Sequence, residues 1–165
     1  MRTATLIQKR GDRMIEVMFV CLGNICRSPM AEAIMKHKLK EKGLENQVRV
    51  TSSGTGNWHI GKRPHEGTLE ILDMHGIDHE GMTGSQVKSE DFRTFDYLIA
   101  LDSSNEANLL RIRPDDAKAK IIRLLSFSKQ FNDHDVPDPY FTGNFREVYE
   151  MIDEAVERFI LEITE

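Results

Sequence analysis

VMFVCLGNICRSPMAEA, residues 17–33, is the stretch of sequence that decides the fold of this chain. It lies in and after an apolar run at residues 15–20, which is typical of a central strand in a sheet covered on both faces. The Ser-Pro pair at residues 28–29 suits the N-cap and the first position of a helix. The stretch therefore predicts a strand, a tight loop and a helix N-terminus, with Cys21 at one end of the loop and Arg27 at the other.

The spacing between Cys21 and Arg27 favours an anion-binding loop. Five intervening residues let the backbone N–H groups converge at a helix N-terminus, where they bind a dianion. Arg27 adds a planar fork for two phosphate oxygens, and the same donors favour the thiolate of Cys21, an in-line nucleophile. We expect the phosphate to be held by the N–H groups of Leu22, Gly23, Asn24, Ile25, Cys26 and Ser28.

Two other interpretations of this loop have to be weighed. The spacing alone is also compatible with a buried cysteine at a strand end and an arginine on the surface. Gly23, the strand before the loop and the Ser-Pro helix start after it favour the anion loop instead. A nucleotide-binding Walker loop is excluded, because the Gly-Lys-Ser/Thr ending is absent.

Hydrophobic periodicity extends this pattern along the chain. It predicts strands at residues 15–20, 48–53, 97–101 and 120–125. It predicts helices from Pro29 to about Lys42, from about His65 to a C-cap at Gly76, from a cap at Ser103 or Ser104 to about Ile112, and from a capping box at Asn144 and Glu147 to the C-terminus. The fold class expected is α/β: a single domain at residues 15–165, with a four-stranded parallel sheet covered by helices on both faces.

Candidate site residues lie at or after the end of all four predicted strands. Cys21 follows the first strand, Ser52 and Trp58 lie at and after the end of the second, Asp102 follows the third, and the loop with Asp138 follows the fourth. In parallel α/β sheets, ligands bind beyond the carboxyl ends of the strands. We therefore expect one site at this edge of the sheet.

The motif VCLGNICRSP at residues 20–29, followed by MAEA and by DPY at residues 138–140, resembles the low-molecular-weight protein tyrosine phosphatases. The similarity extends from about Ile15 to the C-terminus. It implies an enzyme that hydrolyses phosphotyrosine through a phosphocysteine intermediate, with no metal and no cofactor. Cys21 would be the nucleophile and Arg27 would hold the transition state.

A proton donor for the leaving oxygen is sought in the DPDPY segment. Asp138 lies between Pro137 and Pro139, which stiffen the loop. A carboxyl in an anionic neighbourhood can stay protonated, protonate the phenolate and then activate water. From spacing alone, a proline-rich turn with a solvated aspartate is equally plausible, and Asp135 is a rival. The resemblance favours Asp138 as the third catalytic residue.

Further residues are assigned mainly through the resemblance. Trp58 and Tyr140 match positions that line the substrate cleft, where aromatic walls would select phosphotyrosine; ordinary packing is the alternative. Asn24, Ser28, Ser52 and His75 resemble a polar network that supports the loop. Cys26 could trap oxidised Cys21 as a reversible disulfide, or could simply be a small buried side chain.

Composition sets the remaining expectations. A net charge of −5 provides no basic surface for nucleic acid, and no apolar run is long enough to cross a membrane. The only two cysteines lie in the loop, which suits a cytoplasmic setting, with secretion without a signal peptide still open. Residues 1–14 are expected to form a disordered N-terminal extension. The expected partners are phosphotyrosine proteins or peptides, and weak self-association stays open.

Three rival functions follow from the same residues. Arsenate reductases resemble this fold but need further cysteines to relay oxidation, and none lies outside the loop. Phosphoarginine hydrolases of this type carry threonine where this chain has Ile25. A redox-sensing or phosphate-binding module without turnover would not need Cys21, Arg27 and Asp138 together.

Overall fold

The computed structural model describes residues 13–164. Four strands form the sheet: β1 (Ile15–Cys21), β2 (Val48–Gly54), β3 (Tyr97–Ala100) and β4 (Lys120–Arg123). Six helices accompany them: α1 (Arg27–Glu41), α2 (Glu66–Met74), α3 (Asp91–Thr94), α4 (Ser103–Ile112), α5 (Pro139–Thr142) and α6 (Phe145–Thr164). A 3₁₀ turn at Leu124–Phe127 follows β4.

The sheet is entirely parallel, with the strand order β2-β1-β3-β4. β1 is central because it is apolar along nearly its whole length and pairs with a neighbour on each side. Its last residue, Cys21, lies opposite Gly54 in β2. The fold class predicted from the sequence is confirmed.

Side chains alternate along β1 and feed two separate cores. Ile15, Val17 and Phe19 pack with α1 and α6 on one face of the sheet. Met18 and Val20 pack on the other face, with residues of β3, α3 and α4. Layers on both faces fix the carboxyl end of β1, so the loop that follows it is carried on a rigid base. No helix within residues 13–164 combines the length and the apolarity that a membrane span requires.

Several predicted boundaries need correction. β4 ends at Arg123 instead of Leu125, because both Leu124 and Leu125 are buried in the 3₁₀ turn, which an apolar run alone cannot distinguish from a strand. The cap of α4 is Asp102, not Ser103 or Ser104: its carboxylate accepts the Asn105 N–H at 2.7 Å. α1 begins at Arg27, two residues before Pro29.

Short helices occur in two segments predicted as loops, α3 and α5. α5 has a local cause: Asp138 caps it, a proline occupies its first turn, and Gly143 ends it with φ of 74°. Of the predicted N-terminal extension, residues 1–12 lie outside the described part of the chain. Arg13 donates two hydrogen bonds to the Asp96 carboxylate, at 3.0 and 3.2 Å.

Candidate active site

The loop between β1 and α1 wraps around the sulfur of Cys21. The Asn24 N–H donates to Cys21 Sγ at 3.3 Å, and Ser28 Oγ lies 3.0 Å from the same sulfur. Asn24 is the only non-glycine residue with positive φ in the described chain, at 54°. Asparagine tolerates this conformation better than most residues, and it lets the backbone turn so that the Asn24 N–H points at the sulfur.

A buried polar network holds Asn24 in this conformation. Its Nδ2 donates to Ser28 Oγ at 2.8 Å and to Ser52 Oγ at 3.0 Å. Its Oδ1 accepts the Ser85 N–H at 2.8 Å. The Ser52 hydroxyl in turn donates to Glu32 Oε1 at 2.6 Å. Both polar atoms of the Asn24 amide therefore have hydrogen-bond partners, and these bonds fix the loop before any ligand binds.

The Arg27 guanidinium is held at the opposite rim of the loop. Its Nη1 donates to Asp102 Oδ2 at 2.6 Å and to the Val136 carbonyl at 2.8 Å. Burial alone would lower the pKa of Arg27, but the negative charges of Cys21, Asp102 and Asp138 outweigh it and raise that pKa. The guanidinium is thus fully charged and fixed in one orientation.

Asp138 faces the guanidinium from α5. Its Oδ2 lies 3.5 Å from Arg27 Nη2, and its Oδ1 accepts the Tyr140 N–H at 3.0 Å. The rival carboxylate, Asp135, points elsewhere: it accepts the backbone N–H and the hydroxyl of Ser103 at 3.0 and 2.6 Å. Of the two carboxylates, Asp138 is the one that lines the cleft.

A cleft of about 170 Å³ opens above the loop. It brings together the three predicted catalytic residues and most of the predicted binding residues, with two additions, His59 and Phe141. Asn24, Ser28 and Ser52 are not among the lining residues and belong to the polar network behind the loop. Trp58 and Tyr140 are 62% and 56% exposed, so their rings stand at the mouth and not in the core. The lining residues are Cys21, Leu22, Gly23, Ile25, Cys26, Arg27, Trp58, His59, Asp138, Tyr140 and Phe141.

Comparison with known proteins identifies the family. The model of the low molecular weight phosphotyrosine protein phosphatase family matches residues 16–165. This chain belongs to that family. The low molecular weight protein-tyrosine-phosphatase YfkJ of Bacillus subtilis is 48% identical over 150 residues, which cover 91% of this chain and 96% of the relative. PtpA of Staphylococcus saprophyticus, which carries the same family name, is 50% identical over 147 residues, covering 89% and 92%.

Solved structures agree with the sequence matches. The crystal structure of Bacillus subtilis YfkJ has a TM-score of 0.88 to this phosphatase, with 48% identity and coverage of 92% and 95% of the two chains. The Drosophila arginine phosphatase DARP has a TM-score of 0.83, with 34% identity and coverage of 92% and 99%. The protein is therefore a phosphoric monoester hydrolase of the protein-tyrosine-phosphatase class.

The second cysteine of the phosphatase loop differs chemically from the first. Burial, and after it the charges of Asp138 and Cys21, raises the pKa of Cys26 to about 12, and Arg27 opposes this only in part. Cys26 is 3% exposed, so it is a small, neutral, buried side chain at neutral pH. A reversible disulfide with Cys21 stays a prediction.

His75 is the predicted site residue that the structure does not bring to the loop. It lies at the C-cap of α2, exposed, and its ring stacks on Tyr149 at a centroid distance of 4.0 Å. The contacts that fix Asn24 come instead from Ser85 and, through Ser52, from Glu32. Sequence reasoning missed both residues. Within residues 13–164, no group of three or more His, Cys, Asp or Glu side chains could hold a metal ion.

Proposed function

We propose that this phosphatase hydrolyses phosphotyrosine in proteins or peptides through a phosphocysteine intermediate. Cys21 is the nucleophile, Arg27 and the loop N–H groups stabilise the transition state, and Asp138 is the general acid and then the general base. The observation that carries the proposal is that these three side chains line one cleft, with Asp138 Oδ2 3.5 Å from Arg27 Nη2.

In the first step, the Cys21 thiolate attacks phosphorus in line with the leaving oxygen. The S–P bond forms, the P–O bond to the tyrosyl oxygen breaks, and the proton of Asp138 passes to that oxygen. Negative charge on the three equatorial oxygens faces the loop N–H groups and the guanidinium. The fixed orientation of Arg27 means that little reorganisation is needed at that moment.

In the second step, the Asp138 carboxylate takes a proton from water as the water oxygen attacks phosphorus. The S–P bond breaks and the sulfur leaves as a thiolate. Ser28 Oγ lies 3.0 Å from the sulfur, closer than the 3.5 Å to the Ser53 carbonyl, and because a thiolate can only accept, the Ser28 hydroxyl is the donor of this pair. The Asn24 N–H supplies a second donor to the same sulfur. These two donors favour the thiolate both as nucleophile and as leaving group.

Phosphotyrosine is supported over phosphoarginine by the cleft walls. Trp58 and Tyr140 offer aromatic faces to an aryl ring, and Ile25 adds an apolar side chain where arginine-directed members carry threonine. The fold itself does not discriminate, because an arginine phosphatase shares it. Hydrolysis of matched phosphotyrosine, phosphoserine and phosphoarginine peptides, measured side by side, should show turnover of phosphotyrosine alone.

The covalent mechanism is tested with two variants. Cys21→Ser should abolish turnover of an aryl phosphate while inorganic phosphate still binds in calorimetry. If Cys21→Ser retains most of the activity, the mechanism is wrong. Asp138→Ala, given an aryl phosphate with a good leaving group, should form the intermediate but hydrolyse it slowly. Acid quenching and mass spectrometry should then find one phosphoryl group on the peptide that contains Cys21.

A further inference from the structure

His65 connects three parts of the active site. It is the N-cap of α2, and its Nδ1 accepts the Gly67 N–H at 3.0 Å. Its own backbone N–H donates to the Ile25 carbonyl in the phosphate loop at 2.7 Å. Its ring contacts two aromatic residues that follow the proposed general acid, Tyr140 and Phe145.

The contact with the phosphate loop is double. Besides the bond from His65 to Ile25, the Thr68 hydroxyl donates to the Cys26 carbonyl at 3.0 Å, and Thr68 is fully buried. The first turn of α2 is thereby fixed to the loop that contains the nucleophile. It serves as a platform whose position relative to Cys21 is set by hydrogen bonds to two backbone carbonyls of the loop.

The aromatic contacts extend this platform to the acid segment, residues 138–145. The His65 ring stacks on Phe145, the first residue of α6, at 5.1 Å and 23° between ring planes. It meets the Tyr140 ring edge-on at 6.0 Å. Phe145 lies so close to Gly67 that a Cβ there would come within 2.4 Å of its ring. The His65 ring and Gly67 together form the surface against which Phe145, at the end of the acid segment, packs.

Tyr140 connects Asp138 to the packing surface formed by His65 and Gly67. The carboxylate of Asp138 accepts the Tyr140 N–H, so the position of the acid depends on where residue 140 is held. We propose that His65 is a positioning residue, whose ring holds the acid segment so that Asp138 reaches the leaving oxygen. The inference rests on the proposed function, because it assumes that Asp138 is the general acid.

Two substitutions separate the ring of His65 from its role as a helix cap. His65→Asn keeps a side-chain oxygen for the Gly67 N–H but removes the ring. His65→Phe keeps a ring but removes the acceptor. Phe145→Leu removes the stacked partner from the other side and serves as a second test should His65→Asn fail to fold.

The measurement is the dependence of kcat/KM on the leaving-group pKa for a series of substituted aryl phosphates. A misplaced acid matters most when the leaving oxygen needs its proton most. His65→Asn and Phe145→Leu should therefore lower kcat/KM about three- to tenfold for the poorest leaving group and leave the best one nearly unchanged. His65→Phe should keep the wild-type dependence while its melting temperature falls.

The outcomes separate the positioning role of His65 from the general-acid role of Asp138. A wild-type dependence in both His65→Asn and Phe145→Leu overturns the positioning role, as does an equally steep dependence in His65→Phe and His65→Asn. Asp138→Asn is the reference and should give the steepest dependence of all. If it gives none, the acid role of Asp138 fails, whatever the His65 variants do.

Discussion

Asp102 Oδ2 lies 2.6 Å from Arg27 Nη1, across 75 residues of sequence. The other oxygen of the same carboxylate caps α4 by accepting the Asn105 N–H. The two oxygens of Asp102 therefore have separate roles: one caps the N-terminus of α4 and the other fixes the orientation of the Arg27 guanidinium. Removing the charge without removing the cap should separate them.

Asp102→Asn should lower kcat/KM for an aryl phosphate about tenfold, because an amide NH₂ would replace the oxygen that accepts from Arg27. Its melting temperature should stay close to that of the wild type, since the amide oxygen can still cap α4. Asp102→Ala should show the same loss of kcat/KM and should also lower the free energy of unfolding by about 1 kcal/mol. Asp116→Asn is the matched control: Asp116 also pairs with an arginine, Arg93, but on the surface and far along the chain from the loop. Equal activity losses for both Asn variants would contradict the role of Asp102.

Gly54 supports the phosphate loop from beneath by having no side chain. A Cβ at this position would come within 2.8 Å of the Leu22 carbonyl and 3.1 Å of the Asn24 N–H. Those are backbone atoms that cannot swing aside, so Gly54→Ala should push the loop out of shape. We expect kcat/KM to fall by about 100-fold, the loss typical of a displacement of about 1 Å at a reacting centre.

Gly43→Ala is the control for Gly54→Ala. Gly43 has φ of 72°, so alanine is strained there, but a Cβ added at this position would meet no atom of the described residues within 4 Å, its own chain neighbours aside. It should lose about 1 kcal/mol of the free energy of unfolding and keep its activity. Chemical denaturation and aryl-phosphate kinetics on both variants check the pair. A Gly54→Ala enzyme as active as Gly43→Ala would show that the loop tolerates the added methyl group.

The sequence predicted those parts of the site that are local. The strand, the loop and the start of α1 lie within residues 15–33, so apolar run, spacing and helix-start signals all appear in one short window. Asp138 could also be predicted from the sequence, because prolines flank it and because the family resemblance includes the segment in which it lies. The order of elements then placed the four strand ends, and with them the cleft, at one edge of the sheet.

What escaped prediction is non-local or lacks a side-chain signature. Glu32 appears in the sequence as an ordinary charged helix residue, and only the folded structure shows that it is buried and accepts the Ser52 hydroxyl. Ser85 contributes a backbone N–H, which any residue has, so nothing in the sequence marks it. His75 was expected to support the loop through its side chain, and in the structure its ring stacks on Tyr149 of α6. The hydrogen bonds of the Asn24 amide go to Ser28, Ser52 and Ser85.

The Ser52 hydroxyl links the buried carboxylate of Glu32 to Asn24 in the loop through two hydrogen bonds. Ser52→Ala would leave Glu32 Oε1 without this donor and Asn24 Nδ2 with one partner fewer. Unsatisfied buried groups cost about 1–3 kcal/mol, so the variant should be destabilised by that amount and its kcat should fall. Ser52→Thr, which keeps the hydroxyl, should recover much of both.

A double-mutant cycle tests whether Ser52 and Glu32 act as one unit. Once Glu32 is alanine, the Ser52 hydroxyl has lost its carboxylate acceptor, so adding Ser52→Ala should cost much less than it does alone. Unfolding by guanidinium chloride gives the four free energies. Additive losses would mean that the two side chains contribute independently and that the relay through the Ser52 hydroxyl does not matter.

Cys26 should make the stability of the phosphatase fall at alkaline pH. Its thiol has a pKa of about 12 in the folded chain, raised from the ordinary value of 9.0 mainly by burial. Between these values the unfolded chain loses a proton that the folded chain keeps, so ionisation favours unfolding as pH rises. This effect should reach about 1.4 kcal/mol at about pH 10. Unfolding by denaturant at about pH 8 and about pH 10 should therefore show a smaller drop for Cys26→Ala than for the wild type. Because the two proteins differ only at residue 26, equal drops would mean that Cys26 ionises in the folded protein as readily as in the unfolded chain.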